Sequence, residues 1–386
     1  MSAYALFADR VLTDEGFAKG SCVIVQDGQI VSIISTADCP VDIVRAKLTG
    51  DLVPGFIDLQ VNGGGGVLLN DRPSVEGIRK IAEAHRTFGT TGLLPTLISD
   101  DLDTISRAIA AVDQAIAAGV PGILGIHLEG PFLNARKKGI HDASKFRTLD
   151  EAALDLITSL KNGKTLVTLA PELVACDMIR KLNERGVIVA AGHTAATYEE
   201  MDAALACGVS GFTHLFNAMP VMESRAPGAV GAALGSPSAW CSMIVDGHHV
   251  HPAMLRIALA AKGAERIVLV TDAMPSVGSA NESFDLGGQT ITATGGKCVS
   301  VDGTLAGADL NMAQAVRNAS LMMNVPIESA IRMASANAAA ALGISDKSGA
   351  IRPGLSANFA LLDASGFVSA TWIDGVEYRP ADGSTT

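Results

Sequence analysis

The middle of the chain alternates short apolar runs with Ala-rich stretches in which apolar residues recur every three to four positions. The short runs, bounded by turn residues, predict strands, and the longer periodic stretches predict amphipathic helices. Eight runs qualify as strands: 55–61, 92–97, 123–128, 165–170, 187–191, 211–216, 240–245 and 266–271. Helical patterns separate most of them, at 75–88, 102–118, 151–160, 175–185, 198–207 and 252–262. Eight strands alternating with helices predict an α/β fold of the (β/α)8 type, a closed parallel barrel. An open doubly wound sheet is the rival, but no GxGxxG follows the first strand. The connection 217–239 is rich in Gly and Pro and reads as poorly helical. Residues 283–305 read as an inserted β-hairpin, and helices at 309–323 and 326–342 close the barrel.

The two ends have a different texture. Strands are expected at 5–13, 21–26 and 29–35, with Asp27-Gly28 as a hairpin turn, and again at 359–363 and 368–374. Neither end holds a helix-length pattern. The expectation is one small β domain made of 1–53 and 351–386, attached to a barrel of 54–350.

Composition narrows the function classes. The chain has 386 residues, 48% of them apolar, which is enough for one large enzyme domain with a smaller attachment. Its formal charge of −11, without a basic run, argues against nucleic acid and anionic membranes as partners. A phosphorylated small molecule stays open, since one arginine or helix N-terminus can bind a phosphate. No apolar stretch of about 20 residues appears, so no membrane span is expected. Asp9 and Arg10 interrupt the N-terminus before a signal-like core develops, and a cytoplasmic location is expected. The six cysteines are scattered, without a CxxC pair, and are expected to be buried thiols.

The candidate chemistry lies where the predicted strands end, which is where such barrels build their sites. The first strand ends in Gln60 and Asn62, the third in His127 and Glu129, and the fifth in His193. The sixth offers His214, the seventh leads to Asp246 and His249, and the eighth ends in Asp272. Glu129, His193 and His214 make a one-carboxylate, two-imidazole set of the kind that holds catalytic zinc. Asp272, across the mouth, is placed to shuttle a proton. Taken singly, each residue has a plainer role: a structural histidine, a salt-bridge partner, a helix cap. Their recurrence at the same end of strand after strand favours a site. Asp58 reads as structural, and Leu321-Met322-Met323 as core packing.

Seven segments carry a family resemblance: PGFIDLQVNG from Pro54, HLEGPF from His127, KKGIHD from Lys137, AGHTAAT from Ala191, THLFNAM from Thr213, VDGHHV from Val245 and VTDAM from Val270. Through them the chain resembles the N-acetylglucosamine-6-phosphate deacetylases of the amidohydrolase superfamily. The resemblance implies a barrel with a β-sandwich built from both chain ends. It implies Glu129, His193 and His214 as ligands of one divalent metal, zinc first, with iron(II), cobalt or manganese also suited to such a set. It implies Asp272 as general base and acid, and His141 as the histidine that polarises the amide carbonyl. Asn217 and Ala218 resemble the phosphate-contacting loop, and His249 a substrate-contacting histidine. Arg225 resembles an arginine that reaches the phosphate in the neighbouring subunit, which implies a homodimer. The implied substrate is a phosphorylated N-acetyl amino sugar, with the gluco and galacto forms both open.

Two rivals are weighed against this. Dihydroorotase-like and dihydropyrimidinase-like ring openers carry His-x-His at the end of the first strand, where this chain has Gln60-Val61-Asn62. Those two amides then read as the vestige of a second metal slot. A non-catalytic barrel serving as a binding module is expected to lose ligands or base, yet all four candidates are present.

Overall fold

The computed structural model describes residues 3–379. One sheet holds eight parallel strands in chain order: Phe56–Val61 (β1), Thr90–Ile98 (β2), Gly125–Glu129 (β3), Lys164–Leu169 (β4), Ile188–Ala191 (β5), Gly211–Phe212 (β6), Trp240–Met243 (β7) and Ile267–Leu269 (β8). The first and last strands meet at a seam. Asp272 N donates to Gln60 O at 3.0 Å, Val61 bridges Ala273, and Thr271 Oγ1 donates to Asp58 Oδ2 at 2.5 Å. The sheet thus closes into the (β/α)8 barrel. All six residues of β1 are buried, because one face meets the barrel axis and the other the surrounding helices. That double burial is why the strands read as apolar runs and not as alternating patterns.

The outer helices are Val75–Arg86 (α1), Leu102–Ala117 (α2), Glu151–Ile157 (α3), Cys176–Glu184 (α4), Tyr198–Cys207 (α5), Gly228–Gly235 (α6), Pro252–Lys262 (α7) and Met312–Met322 (α8). In α1 the buried residues Ile78, Ile81, Ala82 and His85 form one stripe at helical spacing, and Ser74 caps the helix by accepting from Gly77 N. A reciprocal capping box of Thr197 and Glu200 starts α5.

Five expectations for the barrel need correction. The connection 217–239 contains α6, whose sequence GAVGAALG has weak intrinsic propensity but whose Ala229, Val230, Ala232 and Ala233 are buried; packing outweighs glycine here. The helix expected at 326–342 is two, Ile327–Met333 (α9) and Ala336–Leu342 (α10). They break where Ala334 O accepts from Ile57 N of β1 at 2.8 Å instead of continuing the helix. The expected hairpin is a four-stranded antiparallel meander, Ser283–Leu286, Gln289–Thr294, Lys297–Ser300 and Leu305–Ala308. Leu321 is 80% exposed on the outer side of α8, so of the Leu-Met-Met run only Met323 is fully in the core. Finally, Cys176 and Cys207 form a disulfide between α4 and α5, while Cys22, Cys39, Cys241 and Cys298 are buried thiols. The pair is 31 residues apart in sequence, and only the packing of α4 on α5 brings it together.

The chain ends form two sheets. The first contains Gln29–Ser35, Ser21–Gln26, Tyr4–Phe7 and Val44–Lys47. The second runs Val376–Tyr378, Val368–Ile373, Phe359–Leu362, Asp51–Pro54, Arg10–Thr13 and Gly16–Ala18. The segment expected as one strand at 5–13 is split between them. It turns at Asp9, whose N–H and carboxylate both bond Gly50. The two sheets share a core of Leu6, Val23 and Val25 against Val11, Leu52, Phe359, Leu361 and Trp372. The alternate residues of the second sheet, Leu12, Val53, Ala360 and Leu362, join the barrel core instead. The central strands of that sheet therefore form a middle layer, buried on both faces. Among the described residues no helix is long and apolar enough to cross a membrane.

Candidate active site

The strand ends converge on a cavity of about 370 Å³. Glu129 is the last residue of β3, and His193, His214 and Asp272 follow β5, β6 and β8. The last three have φ of +48°, +34° and +54°, a left-handed conformation that non-glycine residues adopt at a cost. Such outliers persist where the surroundings over-determine them, and functional sites collect them.

Glu129 Oε1 lies 3.1 Å from His193 Nε2 and 2.8 Å from His214 Nε2, and the two Nε2 atoms are 3.1 Å apart. All three side chains are buried. His193 Nδ1 lies 2.8 Å from Lys137 O. A carbonyl only accepts, so Nδ1 carries the hydrogen and a neutral His193 presents a bare lone pair at Nε2. Two acceptors, Glu129 Oε1 and the bare His193 Nε2, then face each other at hydrogen-bond distance beside His214 Nε2, an arrangement that requires a shared proton or a cation. Ligand atoms about 2.0–2.2 Å from a tetrahedral ion lie a little over 3 Å apart, so these residues fit a divalent metal. Burial alone would raise the Glu129 carboxyl, but the imidazoles of His193 and His214 beside it outweigh burial and hold the group well below the usual carboxylate range. Burial would lower His214, and the Glu129 carboxylate beside it lifts it instead.

Asp272 stands next to this cluster. Its Oδ1 accepts from Asn62 Nδ2 at 2.7 Å and from Gln60 Nε2 at 3.1 Å. Burial, and then the charge of Glu129, push its carboxyl up to about 6. His141 enters from the loop after β3, with Nε2 3.8 Å from Glu129 Oε2. Burial, and then His193, push its imidazole down to about 3, so it is neutral near pH 7. His141 Nδ1 accepts from Ser99 N at 3.4 Å and lies 2.9 Å from Ser99 Oγ. A backbone N–H can only donate, so the ring hydrogen sits on Nε2, the nitrogen nearer Glu129.

Asn217, Ala218 and His249 line the same cavity. His249 Nδ1 is 2.6 Å from Asp246 Oδ2, which orients the ring. Arg225 does not reach it; the residue is exposed on the loop before α6. Gln60 and Asn62 are buried at the seam, and their amide nitrogens point at carboxylates.

Two contributions lie outside the candidates that the sequence offers, Ser99 and the meander. Ser99 directly follows β2 and holds His141, and the same pattern of polar residues at strand ends points to it. Asp246 is among those candidates, and the spacing Asp-x-x-His in DGHHV also signals its bond to His249. The meander supplies Leu286 and residues 303–307 to the cavity wall, with no motif to mark them.

The amidohydrolase family profile matches residues 52–377, and the chain belongs to that family. It is similar to an N-acetylgalactosamine-6-phosphate deacetylase of Shewanella sp. (strain ANA-3), at 41% identity over 96% of this chain and 95% of the relative. It is also similar to the N-acetylglucosamine-6-phosphate deacetylase of Haemophilus influenzae (strain ATCC 51907 / DSM 11121 / KW20 / Rd), at 34% identity over 96% of this chain and 98% of that one. The crystal structure of N-acetylglucosamine-6-phosphate deacetylase from Pasteurella multocida superposes with a TM-score of 0.94 at 33% identity, covering 98% of this chain and all of that one.

Proposed function

We propose that this protein hydrolyses the acetamide of N-acetyl-D-glucosamine 6-phosphate to acetate and glucosamine 6-phosphate. The observation that carries the reading is the Glu129–His193–His214 cluster beside Asp272 in one cavity, in a chain similar to such deacetylases along nearly its whole length. Glu129, His193 and His214 would hold one divalent ion, zinc first, which when bound would supply Lewis acidity toward the carbonyl and the water. Asp272 takes a proton from the attacking water and returns it to the departing nitrogen. His141, neutral, donates from Nε2 to the carbonyl oxygen, with Ser99 holding its other nitrogen. His249, fixed by Asp246, contacts the sugar. Asn217 and Ala218 meet the phosphate, joined by Arg225 of the partner subunit in a homodimer. Gln60 and Asn62 offer only neutral amides, poor ligands for such ions, so one tightly held ion per subunit follows. We read 54–350 as the catalytic domain and 1–53 with 351–386 as its small β companion. A charged sugar phosphate does not cross a bilayer unaided, which favours a cytoplasmic location.

The second reading is N-acetylgalactosamine 6-phosphate, favoured by the relative of that name at 41% identity against 34%. The test is acetate release from both sugar phosphates, before and after chelation, alongside elemental analysis. Turnover of the gluco substrate, loss on chelation and one bound ion per chain are expected. Preference for the galacto substrate transfers the assignment to it. No acetate from either, in metal-loaded protein, returns the chain to a non-catalytic binding role.

A further inference from the structure

Gln60 and Asn62 do more than leave a second metal slot without imidazoles. Asp58, Gln60 and Asn62 alternate along and just beyond β1, so they share the inward face of the barrel. Both amides are almost wholly buried, at 1% and 2% exposure. Carboxylate oxygens only accept, so the NH2 end of each amide must face Asp272. Oδ1 of Asp272 thereby receives two hydrogen bonds, at 2.7 Å from Asn62 and 3.1 Å from Gln60. Gln60 Nε2 also donates to Glu129 Oε1 at 3.1 Å, spanning the gap between the metal-type cluster and Asp272. Among the described residues, no hydrogen bond goes to Oδ2, on a side chain that lines the cavity. The backbone around the clamp is zipped as well: Asp272 N bonds Gln60 O, and Asn62 N bonds Ala273 O at 2.9 Å.

We propose that Asn62 and Gln60 are positioning residues for proton transfer: they hold Oδ1 of Asp272, so that Oδ2 alone exchanges protons with the reacting groups. This rests on the reading of Asp272 as base and acid. In that step water oxygen bonds the acetyl carbon and a water proton moves to Oδ2. The carbon–nitrogen bond then breaks as the same proton moves from Oδ2 to nitrogen, leaving the amine and acetic acid, whose remaining acidic proton passes to the amine or to solvent to give acetate. A carboxylate free to turn about its χ2 would meet the water with either oxygen at varying distance; two donors on one oxygen remove that freedom before substrate arrives.

Asn62 gives the cleaner test, because Gln60 also touches Glu129. We compare wild type, Asn62→Leu, Asn62→Ser, Asp272→Asn and the Asn62→Leu/Asp272→Asn double variant, each loaded with metal. Kinetics on the preferred sugar phosphate, bound metal and melting temperature are measured for all. Hydrogen bonds to charged groups contribute about 1.5–3 kcal/mol, so Asn62→Leu is expected to lower kcat by roughly ten- to a hundredfold. KM and metal content stay near wild type, and Asn62→Ser, which restores a donor, recovers part of the loss. In the Asp272→Asn background the Leu change costs nothing further, because the group it serves is gone. Wild-type kcat in Asn62→Leu, a loss that tracks metal content or melting temperature, or a full additive loss in the double variant would overturn the proposal. Retained turnover in Asp272→Asn alone would instead remove the reading on which it rests.

Discussion

At the scale of single residues, neighbours decide what each carboxyl can do. Glu129 and Asp272 are both buried acids linked through Gln60, yet they are driven in opposite directions. Imidazoles hold Glu129 ionised, which suits a ligand, while burial and the Glu129 charge raise Asp272 towards the range of a proton carrier. Asp272→Asn keeps the shape and removes the proton exchange. It is expected to retain metal near one ion per chain and to lower kcat by about two to four orders of magnitude. Wild-type-like turnover in the metal-loaded variant would end the assignment. The residue types at these strand ends were legible in the sequence; their partners were not. Nothing local pairs Ser99 with His141, 42 residues on.

At the scale of elements, the seam between β1 and β8 closes the barrel and carries a buried acid of its own. Asp58 Oδ2 accepts from Thr271 Oγ1, and Oδ1 accepts from the backbone N–H of Gln60 and Thr271. Burial is the main reason its carboxyl is pushed up to about 7. A folded-state pKa above the unfolded one means that the folded chain holds the proton more tightly. The associated stability is complete below about pH 4 and is lost as pH rises through about 7, amounting to a few kcal/mol on the order of the shift. Asp58→Asn resembles the protonated acid and does not titrate. Urea unfolding from pH 4.5 to 8 should show wild type losing stability relative to the variant as pH rises. A pH-independent difference between the two would refute the seam titration. The reading of Asp58 as structural agrees with this placement.

At the scale of the whole molecule, the loop before α6 reaches outward. Val221, Met222 and Arg225 are exposed on it, a few residues beyond the cavity-lining Asn217 and Ala218. An exposed arginine in such a loop is usually just solvated; a guanidinium that forks onto a phosphate in the opposite subunit would instead make each site a product of two chains. Mixed dimers separate these cases. Arg225→Ala and Asp272→Asn are each expected to be nearly inactive alone. In a hybrid, the subunit with intact Asp272 receives an intact Arg225 of the partner subunit, so one of two sites should work. Purified hybrids with no recovered activity at low substrate concentration would place Arg225 outside the neighbouring site.

The sequence by itself determined the periodicities and the residue types. Doubly buried strands leave apolar runs, amphipathic helices leave a 3.6-residue rhythm, and polar groups gather at the ends of the runs; each is a local property that survives in one dimension. It also carried segments such as HLEGPF and THLFNAM, specific enough to indicate a family. Only the tertiary structure decided which groups meet. The hydrogen bond from Gln60 to Asp272 spans 212 positions, that from Gln60 to Glu129 spans 69, and the Cys176–Cys207 disulfide spans 31. Those pairings depend on barrel closure and on which helix faces abut, and no local pattern encodes either. The same reason explains α6 and the break between α9 and α10: burial rescued a glycine-rich helix, and a strand N–H claimed the carbonyl that a continuous helix would have used.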